Sequence, residues 1–122
     1  MMLYTGTDLE NAKAQKVLKK MQKLKAINEN AKVELICGNV LLGSLSHCVI
    51  CTDESLTFYE VDGILPKISN HSYSAITGVS VSKQVHTDVD LSIGGAQNAK
   101  LQLYCSIDEG KKIAEFILSK IS

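Results

Sequence analysis

Residues 88–105 read DVDLSIGGAQNAKLQLYC, and their alternation decides the fold. Val89, Leu91 and Ile93 fall on one side of an extended chain, with Asp88, Asp90 and Ser92 on the other. After Gly94-Gly95, a turn-forming pair, Leu101, Leu103 and Cys105 repeat the pattern, with Lys100, Gln102 and Tyr104 facing out. Successive side chains of a strand point to opposite faces, so this is a hairpin with one dry face and one wet face. Such alternation belongs to antiparallel sheets.

Outward from this hairpin, the C-terminal side changes period. Ser106 and Glu109 stand three apart, the spacing of a capping box. Ile113, Phe116, Ile117 and Ile121 then recur at helical spacing, with Ala114 and Leu118 beside them and Lys111, Lys112, Glu115 and Lys120 outside. A closing helix that lays its apolar face on the sheet is expected. Phe116 is its expected anchor, with a cost of about 3–5 kcal/mol on truncation to Ala.

On the N-terminal side, β-branched and aromatic residues alternate with polar ones back to Val33. Strands are expected near 33–37, 40–44, 47–52, 55–61, 67–73, 78–86, 88–93 and 99–105. The first two are readable as one bulged strand, relaxed at Gly38 and Gly43. Asp53-Glu54-Ser55 and Asp62-Gly63 read as turns, and Pro66 argues against a central strand there. Before residue 28 the pattern is helical. Thr7 or Asp8 is the expected cap of a helix running to about Ile27, with Ala14, Val17, Leu18, Met21 and Leu24 on one face. Lys13, Lys16, Lys19, Lys20 and Lys23 lie on the far side. The expected organisation is a basic amphipathic helix over residues 1–31 and a mainly β domain over residues 32–122. That domain is read as a barrel or orthogonal sandwich of about seven antiparallel strands, with the last helix across its open end.

The 122 residues suffice for a core of their own. Thirteen Lys and thirteen acidic residues cancel, which excludes a globally basic nucleic-acid binder. The neutral total hides an asymmetry: residues 1–32 hold seven Lys and three acids, a charge of +4, and the rest balances it at −4. The chain has no Arg, the residue best suited to bidentate phosphate or guanine recognition, so specific nucleic-acid readout is not expected. No apolar run is long enough for a membrane-spanning helix, and no secretory signal is visible. A cytoplasmic setting is expected, in which Cys37, Cys48, Cys51 and Cys105 remain thiols.

Two segments resemble the bacterial pleckstrin-homology-like (PH-like) domains. Val49-Ile50-Cys51-Thr52-Asp53-Glu54-Ser55-Leu56-Thr57-Phe58-Tyr59 resembles their "vT-d-LlFy" hairpin, and Ser72-Tyr73-Ser74-Ala75-Ile76-Thr77-Gly78-Val79 is similar to their "i-y-dItsV" strand. Ala114-Glu115-Phe116-Ile117 falls where those proteins have their closing helix. The likeness spans about residues 30–121 and is strongest to the YokE-like set. It implies a PH-like fold and brings no catalytic residue and no cofactor. The chain departs from eukaryotic PH domains in lacking a Trp in the last helix; the resemblance gives Phe116 the comparable place.

The first hairpin, Gly38–Ser46, carries no basic residue, so it lacks the charge-assisted donors that a phosphoinositide site needs. It is apolar instead, and Val40, Leu41, Leu42 and Leu45 are expected as core or as a contact between subunits. Cys48 and Cys51 form a C-x-x-C, but on a strand residues three apart face opposite ways and do not converge on a metal. His47, His71 and His86 are scattered, and no nucleophile elbow, zinc-protease motif or phosphate loop occurs. An enzyme with an unrecognised pocket is the weakest reading. The expected function is a noncatalytic binding and assembly module, a homo-oligomer without cofactor or metal. The alternative is a peripheral binder of an anionic lipid surface through Lys13, Lys16, Lys19, Lys20 and Lys23.

Overall fold

The computed structural model describes residues 2–41, 44–61, 65–83, 85–94 and 98–121. They form two compact units, Met1–Asn70 and His71–Ser122. The first holds strand β1 (Met2–Thr5), a 3-10 turn (Gly6–Glu10), helix α1 (Ala12–Lys23), strands β2 (Val33–Leu41), β3 (Ser44–Thr52) and β4 (Ser55–Val61), and β5 (Pro66–Ser72) up to Asn70. The second holds a 3-10 turn (Tyr73–Ala75), strands β6 (Ile76–Lys83), β7 (Thr87–Ile93) and β8 (Asn98–Leu103), and helix α2 (Ile107–Ile121).

In the first unit the strands lie in the order β1-β2-β3-β4-β5. The sheet is sided by the two-residue period. Ile36, Cys48, Ile50 and Tyr59 lie on the face that packs with Ala14, Val17, Met21 and Ile27 into one buried cluster. Leu35, Cys37, Val49, Cys51, Leu56 and Phe58 have the opposite parity and are also buried. Two bulges adjust the β2–β3 pairing. Glu34 is the extra residue between the Val33↔Thr52 and Leu35↔Cys51 pairs, and Ser46 the extra one between Asn39↔His47 and Val40↔Leu45. The Ser46 hydroxyl spans the second bulge by donating to the Asn39 carbonyl at 3.3 Å. The bulges therefore sit at Glu34 and Ser46 rather than at Gly38; Gly43 lies outside the described residues.

Three boundaries differ from expectation. Residues 33–41 form one strand that turns back into Ser44–Thr52, so the expected 40–44 strand straddled a hairpin. Strand β1 was not expected at all. It pairs antiparallel with β2, Met2 opposite Gly38 and Thr5 opposite Leu35, which builds the N-terminal residues into the same sheet as residues 33–61. The helix starts later than Thr7 or Asp8: those residues lie in the 3-10 turn, and Asn11 caps α1 through its side chain, which accepts from the Lys13 N–H at 2.8 Å. It also ends earlier, at Lys23. Lys25 takes a left-handed conformation (φ 57°), the Ala26 N–H donates to the Met21 carbonyl at 2.9 Å, and the Lys25 N–H donates to the Gln22 carbonyl at 3.0 Å. This is a Schellman ending with Lys where Gly is usual.

The second unit follows the decisive stretch closely. Strands lie in the order β6-β7-β8, with Val89 opposite both Val81 and Leu101. Val89, Leu91, Leu101 and Leu103 are fully buried, joined by Thr87. Helix α2 packs against β6 and β7. Its capping box is reciprocal: the Glu109 N–H donates to the Ser106 hydroxyl and the Ser106 N–H to the Glu109 carboxylate, both at 3.1 Å. The expected anchor is corrected. Phe116 is only half-buried, with the Lys120 ammonium 5.7 Å from its ring centre, and Ile113 and Ile117 are the fully buried side chains. The segment 72–79 is likewise not one strand: Ser72 ends β5, Tyr73–Ala75 form a 3-10 turn, and β6 begins at Ile76.

Candidate functional site

The polar side chains that come together lie in the first unit, where the connection after α1 meets the β3–β4 turn. Thr52 organises that turn: its Oγ1 accepts from the N–H groups of Glu54 (3.2 Å) and Ser55 (3.1 Å) and donates to the Ser55 carbonyl (3.1 Å). Asp53 ties the incoming chain to it. The Lys32 N–H donates to Asp53 Oδ1 at 3.1 Å, and the Asp53 N–H to the Lys32 carbonyl at 2.9 Å. On the other side Asn70, from the end of β5, donates through Nδ2 to Thr57 Oγ1 (2.8 Å) and Ser55 Oγ (3.1 Å). Thr57 in turn donates to the Ala26 carbonyl at 3.4 Å.

These bonds frame an open cleft of about 450 Å³, lined among others by Lys25, Asn28, Glu54, Ser55 and Asn70. The lining holds one ammonium, one carboxylate, two amides and two hydroxyls, a set that can donate and accept hydrogen bonds but contains no nucleophile paired with a base. None of these residues is a functional candidate in the sequence; Glu54 and Ser55 are read there only as part of a turn. They converge through contacts between residues up to 31 positions apart, which no local spacing displays.

The sequence candidates fall elsewhere. Lys13, Lys16, Lys19, Lys20 and Lys23 are all exposed along α1, and the Lys20 ammonium stands 5.5 Å from the centre of the Tyr59 ring. Of the apolar hairpin residues, Leu42 lies outside the described residues; the backbone of Val40, Leu41 and Leu45 is placed, with Val40 opposite Leu45 and Leu41 opposite Ser44. Cys48 and Cys51 are both buried and neither is in a disulfide, Cys48 beneath α1 and Cys51 at a position of opposite parity. Burial, with the neighbouring Cys51 thiol adding to it, pushes the Cys48 thiol far above its usual range, so it is not a poised nucleophile. The Cys105 thiol is also raised, chiefly by burial. His71 is lowered by burial and stays neutral more readily than a solvated imidazole. Among the described residues no three His, Cys, Asp or Glu side chains are grouped to hold a metal ion, and no helix is long and apolar enough to cross a membrane.

The arrangement of the chain is similar to two solved bacterial structures. One is a DUF1696 family protein with a pleckstrin-homology domain from Shewanella loihica PV-4: 15% identical, TM-score 0.60, with 88% of this chain and 92% of that one covered. The other is a pleckstrin homology domain from Shewanella amazonensis SB2B: 19% identical, TM-score 0.51, with 84% and 96% covered. No sequence-family model matches the chain, and no curated protein matches it. At these identities the likeness establishes architecture. The fold is PH-like: mainly β, two antiparallel sheets and a C-terminal helix, with an N-terminal helix as well.

Proposed function

We propose that this chain is a noncatalytic, cytoplasmic binding module that assembles with copies of itself through the end of the β2–β3 hairpin. The observation that carries the reading is the register of that hairpin. Its ladder continues past the bulge to Leu41↔Ser44, which brings Val40, Leu41 and Leu45 of the apolar run to one end of two paired strands. Apolar residues gathered there, with no Lys among them, suit a contact with a second protein surface. The PH-like fold supports a binding role over a catalytic one. The motifs at Val49–Tyr59 and Ser72–Val79 support placement with the YokE-like proteins. Three buried cysteines, none in a disulfide, suit a reducing compartment.

Light scattering on purified protein tests the assembly. The wild-type chain is expected to run as an oligomer at micromolar concentration, and the double substitution Leu41→Asp and Leu45→Asp to shift it to monomer while leaving the circular dichroism spectrum intact. A monomeric wild-type chain overturns the reading.

A further inference from the structure

We propose that the lysine face of α1 is a docking surface for an anionic membrane leaflet, to which the protein adheres flat and without insertion. The proposal is independent of self-association. Helix α1 carries five Lys and no acid over Ala12–Lys23. At about 100° per residue, Lys13, Lys16, Lys19, Lys20 and Lys23 fall within an arc of roughly 120°, spread along about 15 Å of axis. All five are exposed.

The structure alters what such a helix can do. An isolated amphipathic helix binds a bilayer by sinking its apolar face between headgroups. Here that face is occupied: Ala14 and Met21 are fully buried and Val17 nearly so, in the cluster with Ile36, Cys48, Ile50 and Tyr59. Asn11 fixes the start of the helix and the Schellman bonds after Lys23 fix its end. What remains outward is a row of ammonium groups on flexible stems. Asp8 and Glu10 precede the helix, so the positive charge is concentrated from Lys13 onward, continuing to the exposed Lys25.

Charge complementarity then selects the partner. A polynucleotide is held by phosphate contacts strengthened by Arg and by bases stacked on aromatic rings. The chain has no Arg, and α1 carries no aromatic residue. An acidic leaflet asks for neither. It presents a laterally continuous negative potential that a one-sided row of lysines can meet in any register.

The test is co-sedimentation of the full chain with vesicles of phosphatidylcholine alone or of phosphatidylcholine with one-third phosphatidylserine. Binding is expected only to the acidic vesicles, strongest at low ionic strength and lost as salt is added. Each lysine near an acidic leaflet is worth about fivefold in partitioning, so the triple substitution Lys16→Gln, Lys19→Gln and Lys23→Gln is expected to weaken binding by about a hundredfold. These exposed positions leave the circular dichroism melt unchanged, and light scattering on the same variant is expected to give the wild-type mass, which separates this surface from the hairpin contact. Absence of binding to acidic vesicles overturns the proposal. So does equal binding to neutral vesicles, full binding by the triple variant, or displacement from acidic vesicles by a stoichiometric amount of single-stranded RNA.

Discussion

Helices α1 and α2 each lay an apolar stripe on an antiparallel sheet, and they do it with different materials. Helix α2 buries Ile113, Ala114 and Ile117 and brings its backbone so close at Gly110 that a Cβ there would lie 2.6 Å from Thr87 Cγ2 and 2.9 Å from Val81 Cγ1. Helix α1 buries Ala14, Val17 and Met21, a thinner stripe, and turns five lysines to the outside. Large branched side chains and a close-approach glycine make a helix that closes a core. A narrow apolar edge beneath a charged one makes a helix that covers a sheet and keeps a face for something else.

The largest effect expected from this contrast lies inside α2. Ile117→Ala removes a fully buried side chain and is expected to cost about 2–5 kcal/mol in urea unfolding. Phe116→Ala, one residue earlier but half-buried, is expected to cost clearly less, about half the 3–5 kcal/mol of a fully buried ring. Equal losses would break the assignment of anchor. Next comes Gly110→Ala. The new methyl meets Thr87, which is held by its hydroxyl bond to the Cys105 carbonyl at 2.7 Å, so overpacking of about 1–3 kcal/mol is expected to outweigh the roughly 1 kcal/mol that Ala adds to a helix. A variant more stable than wild type would show that α2 rides further from the sheet. In α1 the corresponding test has the opposite sign. Lys25→Gly relieves a left-handed backbone and is expected to raise the thermal midpoint, by an amount equivalent to about 1 kcal/mol.

The smallest effect is pH-dependent and again separates the helices. The Ser106 backbone N–H, with its hydroxyl, holds the Glu109 carboxyl below its ordinary value. A folded value below the unfolded one means that the contribution is complete above the unfolded glutamate range, near about 4.3, and fades as pH falls through the folded value. Unfolding followed across that acidic window should therefore show a slope in wild type that Glu109→Gln reduces. No carboxylate caps α1, whose cap is the neutral Asn11.

The contrast also explains how far the sequence could be read. The β7–β8 hairpin and the capping box of α2 were legible because their signals are local: a two-residue alternation and a Ser and Glu three apart. Strand β1 was not, because Met2–Thr5 shows no alternation and finds its partner 36 residues away at Gly38. The early end of α1 was hidden by Lys25, a residue that ordinarily continues a helix. The anchor was misassigned to Phe116 because helical spacing places it beside Ile113 and Ile117 without saying which of them points deepest. The cleft lined by Lys25, Glu54, Ser55 and Asn70 is assembled by the bonds of Asp53 and Thr57 to distant parts of the chain, and spacing alone carries no trace of it.

The placement of two thiols on either side of β3 gives the molecule a built-in pair of reporters. Cys48 is sheltered under α1 and Cys51 sits at a position of opposite parity, each buried and neither in a disulfide. An alkylating reagent reaches Cys48 when the lysine helix lifts away, whereas Cys51, on the other face of the strand, is not covered by that helix. The two labelling rates, resolved by mass spectrometry of the peptides, would time the opening of each face in the native protein without any added probe.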